Sequence, residues 1–168
     1  MLSVPVLAWF ALRVRSQREF RVRAALLEAG TEFFLPSYDA TVRWSDREKR
    51  VQRLFFPGYI FARFSERQAR RAANDIDFVM ETLGIGGEPV AIPPEQIDAL
   101  KRAIESRLAV APCPYVSGVA VTVKSGPLAG ITGVVQRISG ETLITVAIEF
   151  LRRAISVQLD AADLEAAA

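Results

Sequence analysis

Apolar positions crowd most densely into Leu54-Phe55-Phe56-Pro57-Gly58-Tyr59-Ile60-Phe61-Ala62-Arg63-Phe64. The Pro-Gly pair predicts a tight turn, because Pro fixes φ near −65° and Gly accepts positive φ. Beyond it, Tyr59, Phe61 and Arg63 share one strand face, while Ile60, Ala62 and Phe64 share the other. A strand apolar on both faces belongs in the middle of a sheet, covered on both sides. The stretch by itself reads either as a plain core strand or as a core strand with one aromatic face used for docking.

The pattern elsewhere supplies the neighbours. Residues 9–14 read as a first strand. Ser16-Gln17-Arg18-Glu19 has the spacing of a capping box and opens a helix whose stripe is Phe20, Ala24 and Leu27, ended by Gly30. Thr31 to Pro36 reads as a second strand. Ala40 to Trp44 and Arg50 to Phe56 read as a hairpin whose polar tip, Ser45 to Lys49, projects into solvent. Ser65-Glu66-Arg67-Gln68 is a second capping box, for a short helix through Ala73. Phe78 to Leu83 reads as a strand, and Gly84, Gly86 and Gly87 as a loop. Pro93-Pro94-Glu95 starts a third helix, with Pro at its first positions and acid in its first turn. Its stripe is Ile97, Leu100, Ile104 and Leu108. This order predicts an α+β domain over residues 1–108, an antiparallel sheet with flanking helices.

Residues 109–116 carry two prolines in eight positions and read as an extended linker. The period then changes. Val119, Val121 and Val123 alternate, Gly-rich turns follow, and Leu143 to Phe150 and Ala154 to Leu159 read as strands. Short strands with Gly turns predict a small all-β barrel of about five strands over 117–168. Asp160 to Ala168 is helix-prone but short.

Composition narrows the chemistry. The chain has one Cys and no His, so Cys/His zinc sites, Ser-His-Asp triads and Cys-His pairs lack their parts. With no clustered carboxylates or phosphate loop either, the sequence predicts a protein that is not an enzyme and holds no metal or cofactor. Gly84-Ile85-Gly86-Gly87 is not a dinucleotide fingerprint. Arg13 and Arg15 interrupt the N-terminal apolar run well short of the ~18 residues a membrane span needs, and a lone Cys113 suits a reducing compartment. The expectation is a soluble, cytoplasmic monomer.

Net charge is only +2, but residues 1–71 hold 14 Lys/Arg against 7 Asp/Glu. Arg15, Arg18 and Arg21 gather where the first helix begins, and cations there oppose the helix dipole. Nucleic-acid phosphate would relieve that conflict, since guanidinium groups bind oxygens in pairs. A solvated, salt-bridged face is the competing reading.

Val121-Thr-Val-Lys-Ser-Gly-Pro-Leu-Ala-Gly-Ile-Thr-Gly-Val-Val135 resembles a KOW motif: a strand, then Gly126-Pro127-x-x-Gly130-x-x-Gly133, then a second strand. The glycines allow positive φ or close backbone approach where the two strands fold over. Trp9-Phe10-x-Leu12, the basic turn, Phe56-Pro57-Gly58-Tyr59-Ile60-Phe61, and Gly86-Gly87-x-Pro89 before a Pro-led helix resemble the N-terminal (NGN) domain of the NusG family. Together the two resemblances cover nearly the whole chain and imply an NGN domain followed by an SH3-like KOW barrel.

The resemblance implies a transcription elongation factor that grips the clamp helices of the largest RNA polymerase subunits through a hydrophobic patch. The matching positions are Phe10, Phe56, Tyr59, Phe61 and Ile97. Arg15, Arg18 and Arg21 fall where specialised relatives contact the non-template DNA strand at the upstream fork. Arg70 and Arg71 fall near a second contact, with the opposite pincer of the polymerase. General family members end the barrel with an Ile-Phe-Gly-Arg segment that helps bind Rho or a small-subunit ribosomal protein. This chain reads Ile148-Glu149-Phe150-Leu151-Arg152-Arg153, without the Gly, and is more similar to specialised antiterminators of the RfaH, UpxY and LoaP kind. A general NusG-like coupling factor and a KOW-type RNA- or ribosome-binding module are the alternatives. The β-branched residues of the second half predict a barrel that does not refold into helices.

Overall fold

Pro57 and Gly58 turn the chain into β5 (Tyr59–Phe64), with Gly58 at φ +86° and the Tyr59 amide donating to the Phe56 carbonyl at 3.2 Å. In the computed structural model, which describes residues 4–106, 108–114, 118–138, 140–148 and 151–167, β5 is a central strand of a four-stranded sheet. Its antiparallel neighbours are β1 (Ala8–Val14) and β2 (Phe33–Phe34), and β6 (Val79–Thr82) flanks β1 on the far side. The chain divides into two compact units, Met1–Pro94 and Glu95–Ala168.

In the first unit, one sheet face buries Phe10, Leu12, Val14, Ile60, Ala62 and Phe64 with residues from two helices. The first helix, α1 (Glu19–Glu28), contributes Val22 and Leu26; the second, α2 (Glu66–Asp75), contributes Ala69 and Ala72. The capping box expected at Ser65 forms on α2, with Ser65 and Gln68 bonding each other's backbone amides. The one expected at Ser16 does not form. Arg18 takes the N-cap position without a side-chain cap, because Glu19 is committed elsewhere. The buried stripe of α1 is therefore Glu19, Val22 and Leu26, while Phe20, Ala24 and Leu27 lie exposed. The expected hairpin is present as β3 (Ser37–Arg43) and β4 (Glu48–Leu54), a separate two-stranded sheet with seven paired positions. The glycine loop is a second, minimal hairpin, β7 (Gly84–Ile85) and β8 (Glu88–Pro89).

The second unit holds α3 (Pro94–Glu105) from Glu95 onward and a six-stranded antiparallel sheet. Its strands are β9 (Val110–Pro114), β10 (Ala120–Val123), β11 (Thr132–Ile138), β12 (Glu141–Ile148), β13 (Arg153–Gln158) and β14 (Leu164–Ala166), in the order β14-β10-β11-β12-β13-β9. Two expectations are corrected here. The segment read as a linker contains β9, which pairs with β13 from Val110 opposite Val157 to Pro114 opposite Arg153. Its prolines are tolerated because β9 lies at an end of the strand order, where a missing N–H breaks no second ladder. The helix-prone C-terminal run makes only a short 3-10 turn, Ala161–Asp163, capped by Asp160, before pairing as β14 with β10. The compact units divide at Pro94/Glu95, and within the second of them Arg102 of α3 donates to the Pro127 and Ala129 carbonyls at 2.9 and 2.8 Å.

Candidate functional site

The sheet face opposite the α1/α2 core is set by the β1–β5 register. Ala11 lies across from Phe61, Trp9 from Arg63 and Arg13 from Tyr59, so these six share a face. Phe34 of β2 sits opposite Phe61 on the other flank. The Phe34 ring stacks on Phe61 at 6.1 Å, and Phe56 meets the same ring edge-on at 6.2 Å. Phe61, Ala11, Trp9 and Phe56 are buried, and Tyr59 and Phe34 are half-buried at the margins. Two ion pairs bound this aromatic band, Arg13 with Glu81 at 2.6 Å and Arg63 with Glu32 at 2.9 Å.

The turn that launches β5 is held by a buried carboxylate. Glu19 accepts from the Gly58 amide at 2.8 Å, while the Gly58 carbonyl accepts from Val14 at 2.8 Å. This bond joins the start of α1, the end of β1 and the Pro57-Gly58 turn, and it explains why Glu19 does not cap its own helix.

Arg15, Arg18 and Arg21 are brought together at the start of α1 and are exposed. The backbone there is strained: Gln17 and Phe78 both lie at positive φ, +63° and +69°, and a bulky residue such as Phe is rarely found there. The Phe78 carbonyl accepts from the Arg15 amide at 2.9 Å, and the Arg18 guanidinium lies 5.1 Å from the Phe78 ring centre. Arg15 and Arg21 make no ion pair among the described residues. Arg70 and Arg71 are different. Arg70 is held by Glu66 and Glu88, and Arg71 by Asp75 through two bonds of 3.1 Å. Hydrogen bonds to those carboxylates raise both arginine pKa values, and the bond from Arg71 lowers that of Asp75. Their charge is already matched within the chain.

In the second unit Gly126 and Gly130 stand at φ +83° and +85°, forming the turn that buries Leu128. Gly133 meets a different need. A Cβ there would lie 2.5 Å from the Thr145 carbonyl oxygen and 2.6 Å from Ile144 Cγ1, so β11 can approach β12 only without a side chain at this position. Among the described residues, no group of three His, Cys, Asp or Glu could hold a metal ion, and no helix is long and apolar enough to cross a membrane.

The family model described as "Transcription termination factor nusG" matches residues 7–101, from the start of β1 to the last turns of α3. The chain belongs to the NusG family. Membership implies a role in transcription elongation, in a family of non-enzymatic factors. A solved structure of Thermotoga maritima NusG, concerned with its domain interaction, is similar over 96% of this chain and 98% of that one, at 20% identity and a TM-score of 0.57. That likeness establishes the fold alone. The MjSpt4:Spt5 complex also aligns, over 95% of this chain and 97% of the other, with 14% identity and a TM-score of 0.32, too low to argue from. No curated protein matches by sequence.

Of the positions that the NusG resemblance assigned to polymerase binding, Tyr59, Phe61 and Phe56 come together on one band. Phe10 does not join them, because strand alternation places it with Leu12 and Val14 in the α1/α2 core. The β1 residues on the face of Phe61 are Trp9 and Ala11. Ile97 is fully buried on α3 in the second unit. Phe34 was missed as a member. Both faces of residues 9–14 are apolar, so only the register with β5 could choose between Trp9 and Phe10, and only pairing of β2 could bring in Phe34.

Proposed function

We propose that this NusG-family chain is an RNA polymerase-binding elongation factor that docks the polymerase clamp helices through the Phe34–Phe61–Tyr59 band. The observation that carries the reading is the aromatic clustering on β5 inside the region matched by the family model. Family members bind RNA polymerase. A band framed by two ion pairs suits a coiled-coil partner, whose apolar seam would meet the rings and whose flanking polar positions would meet Arg13–Glu81 and Arg63–Glu32. The strained turn that carries Arg15, Arg18 and Arg21, with Arg18 stacked on Phe78, is our candidate for contact with the non-template DNA strand. Arg70 and Arg71, already paired within the chain, are weaker candidates for the second polymerase contact. The six-stranded sheet around Gly126, Pro127, Gly130 and Gly133 is read as a KOW barrel.

We read the chain further as an operon-specialised antiterminator. Support comes from the β12–β13 connection, where Leu151-Arg152 replaces the Gly-containing segment of general members and Arg152 takes φ +51° without being Gly. Residues 149–150 lie outside the described residues.

The docking band is tested at its margin. Phe61 is fully buried, so truncating it would cost roughly 3–5 kcal/mol of stability and confound binding with folding. Tyr59→Ser with Phe34→Ser removes the half-buried rings instead. The pair should weaken capture of a clamp-helix fragment by roughly 30-fold or more, with a circular-dichroism spectrum like that of the parent. Undiminished capture refutes the docking band.

A further inference from the structure

The β3–β4 hairpin has two unlike faces. Its register sets Tyr38 opposite Arg53, Ala40 opposite Val51 and Val42 opposite Lys49. The Trp44 amide donates to the Arg47 carbonyl at 2.8 Å, which carries the pairing one step further to the tip. Alternation therefore gives one face Tyr38, Ala40, Val42, Trp44, Arg47, Lys49, Val51 and Arg53: aromatic, aliphatic and cationic, with no acid. The acids Asp39 and Glu48 fall on the other face, where Glu48 pairs with Arg43 at 3.7 Å, and the third, Asp46, stands in the turn between Trp44 and Arg47. Arg47, Lys49 and Arg53 make no ion pair among the described residues. Trp44 is 63% exposed, which is unusual for a side chain of that size.

We propose that this face binds a single strand of nucleic acid, with a base stacked on Trp44 and phosphates held by Arg47, Lys49 and Arg53. An exposed ring beside unpaired cations is the pairing that single-strand sites use, since every base offers a π-face and every nucleotide a phosphate. Arg47 immediately precedes β4 and Lys49 lies two residues on within it, so their Cα atoms are at most about 7 Å apart, a spacing at which both can follow one extended backbone. Charge decides against an apolar protein partner: three free cations would be desolvated without compensation. The site lies on a different sheet from the aromatic band, and its test contains no polymerase, so it can fail while the docking reading stands.

The chain has two tryptophans, and Trp9 is buried. Titrating the whole protein with an unstructured oligothymidylate, at low salt, should quench Trp44 emission. Followed by anisotropy of a labelled strand, Trp44→Ala should weaken binding roughly 5- to 150-fold. Arg47→Gln with Lys49→Gln should flatten the dependence of log K on log salt by about 1.4. An RNA oligomer run in parallel identifies the preferred strand, and quenching by either supports the site. No quenching by either strand, binding unchanged in Trp44→Ala, or tighter binding to duplex than to single strands overturns it.

Discussion

Glu19 shows how much one side chain can settle. Its carboxylate is buried and accepts from the Gly58 amide, so removing it leaves that N–H unsatisfied beneath the turn. Glu19→Ala should lower stability by about 1–3 kcal/mol, read as a drop in the urea midpoint, and Glu19→Gln, which keeps an acceptor, should recover most of the loss. Gly133 is the counterpart in the second unit. Gly133→Ala places a methyl group against the Thr145 carbonyl and Ile144, an overpacking that should cost about 1–3 kcal/mol by thermal melt. Among the surface charges, Asp75 has its pKa lowered by its hydrogen bonds from Arg71. A carboxylate with a depressed folded pKa contributes stability above its unfolded pKa and loses it as pH falls through the folded value. An NMR titration of Asp75 should therefore show a midpoint below the ordinary carboxylate range, returning towards it in Arg71→Ala. The contribution to stability is small because the pair is exposed.

Among the elements, the two predicted capping boxes had opposite outcomes. At Ser65 every partner is local, so the sequence spacing suffices, and Ser65→Ala should cost about 1 kcal/mol in a denaturant melt. At Ser16 the same spacing fails because Glu19 has a better partner 39 positions away. That attachment fixes the rotation of α1, and the buried stripe moves from Phe20/Ala24/Leu27 to Glu19/Val22/Leu26. Segment 109–116 teaches the same point for strands. Prolines argue against a strand only if both its edges are to be paired, and β9 pairs along one side. Burial also pushes the Cys113 thiol up, so its alkylation at neutral pH should be slower than that of a free thiol and should accelerate as pH rises.

For the whole molecule, the two readings of function make separable demands. If the chain is an antiterminator, adding it to a reconstituted elongation reaction should increase read-through of a Rho-dependent terminator. A general coupling factor should increase termination there instead. Tyr59→Ser with Phe34→Ser should abolish either effect, while Trp44→Ala should leave clamp-helix capture intact.

Much of this architecture was legible in the sequence. The order of elements, the Pro57-Gly58 turn, the alternation along β5, the Ser65 cap and the Gly126/Gly130/Gly133 spacing all depend on neighbours a few residues away, and local sterics and periodicity determine them. The aromatic band was legible as a set of residues on β5. Its remaining membership was not. Whether Trp9 or Phe10 belongs to it, that Phe34 joins it, that Glu19 serves Gly58, and that Trp44 shares a face with three unpaired cations depend on register and long-range pairing. A strand apolar on both sides does not declare which side meets which neighbour, and a hydrogen bond across 39 residues leaves no periodic trace. Tertiary structure decided these because each compares the energy of partners that only the folded chain brings within reach.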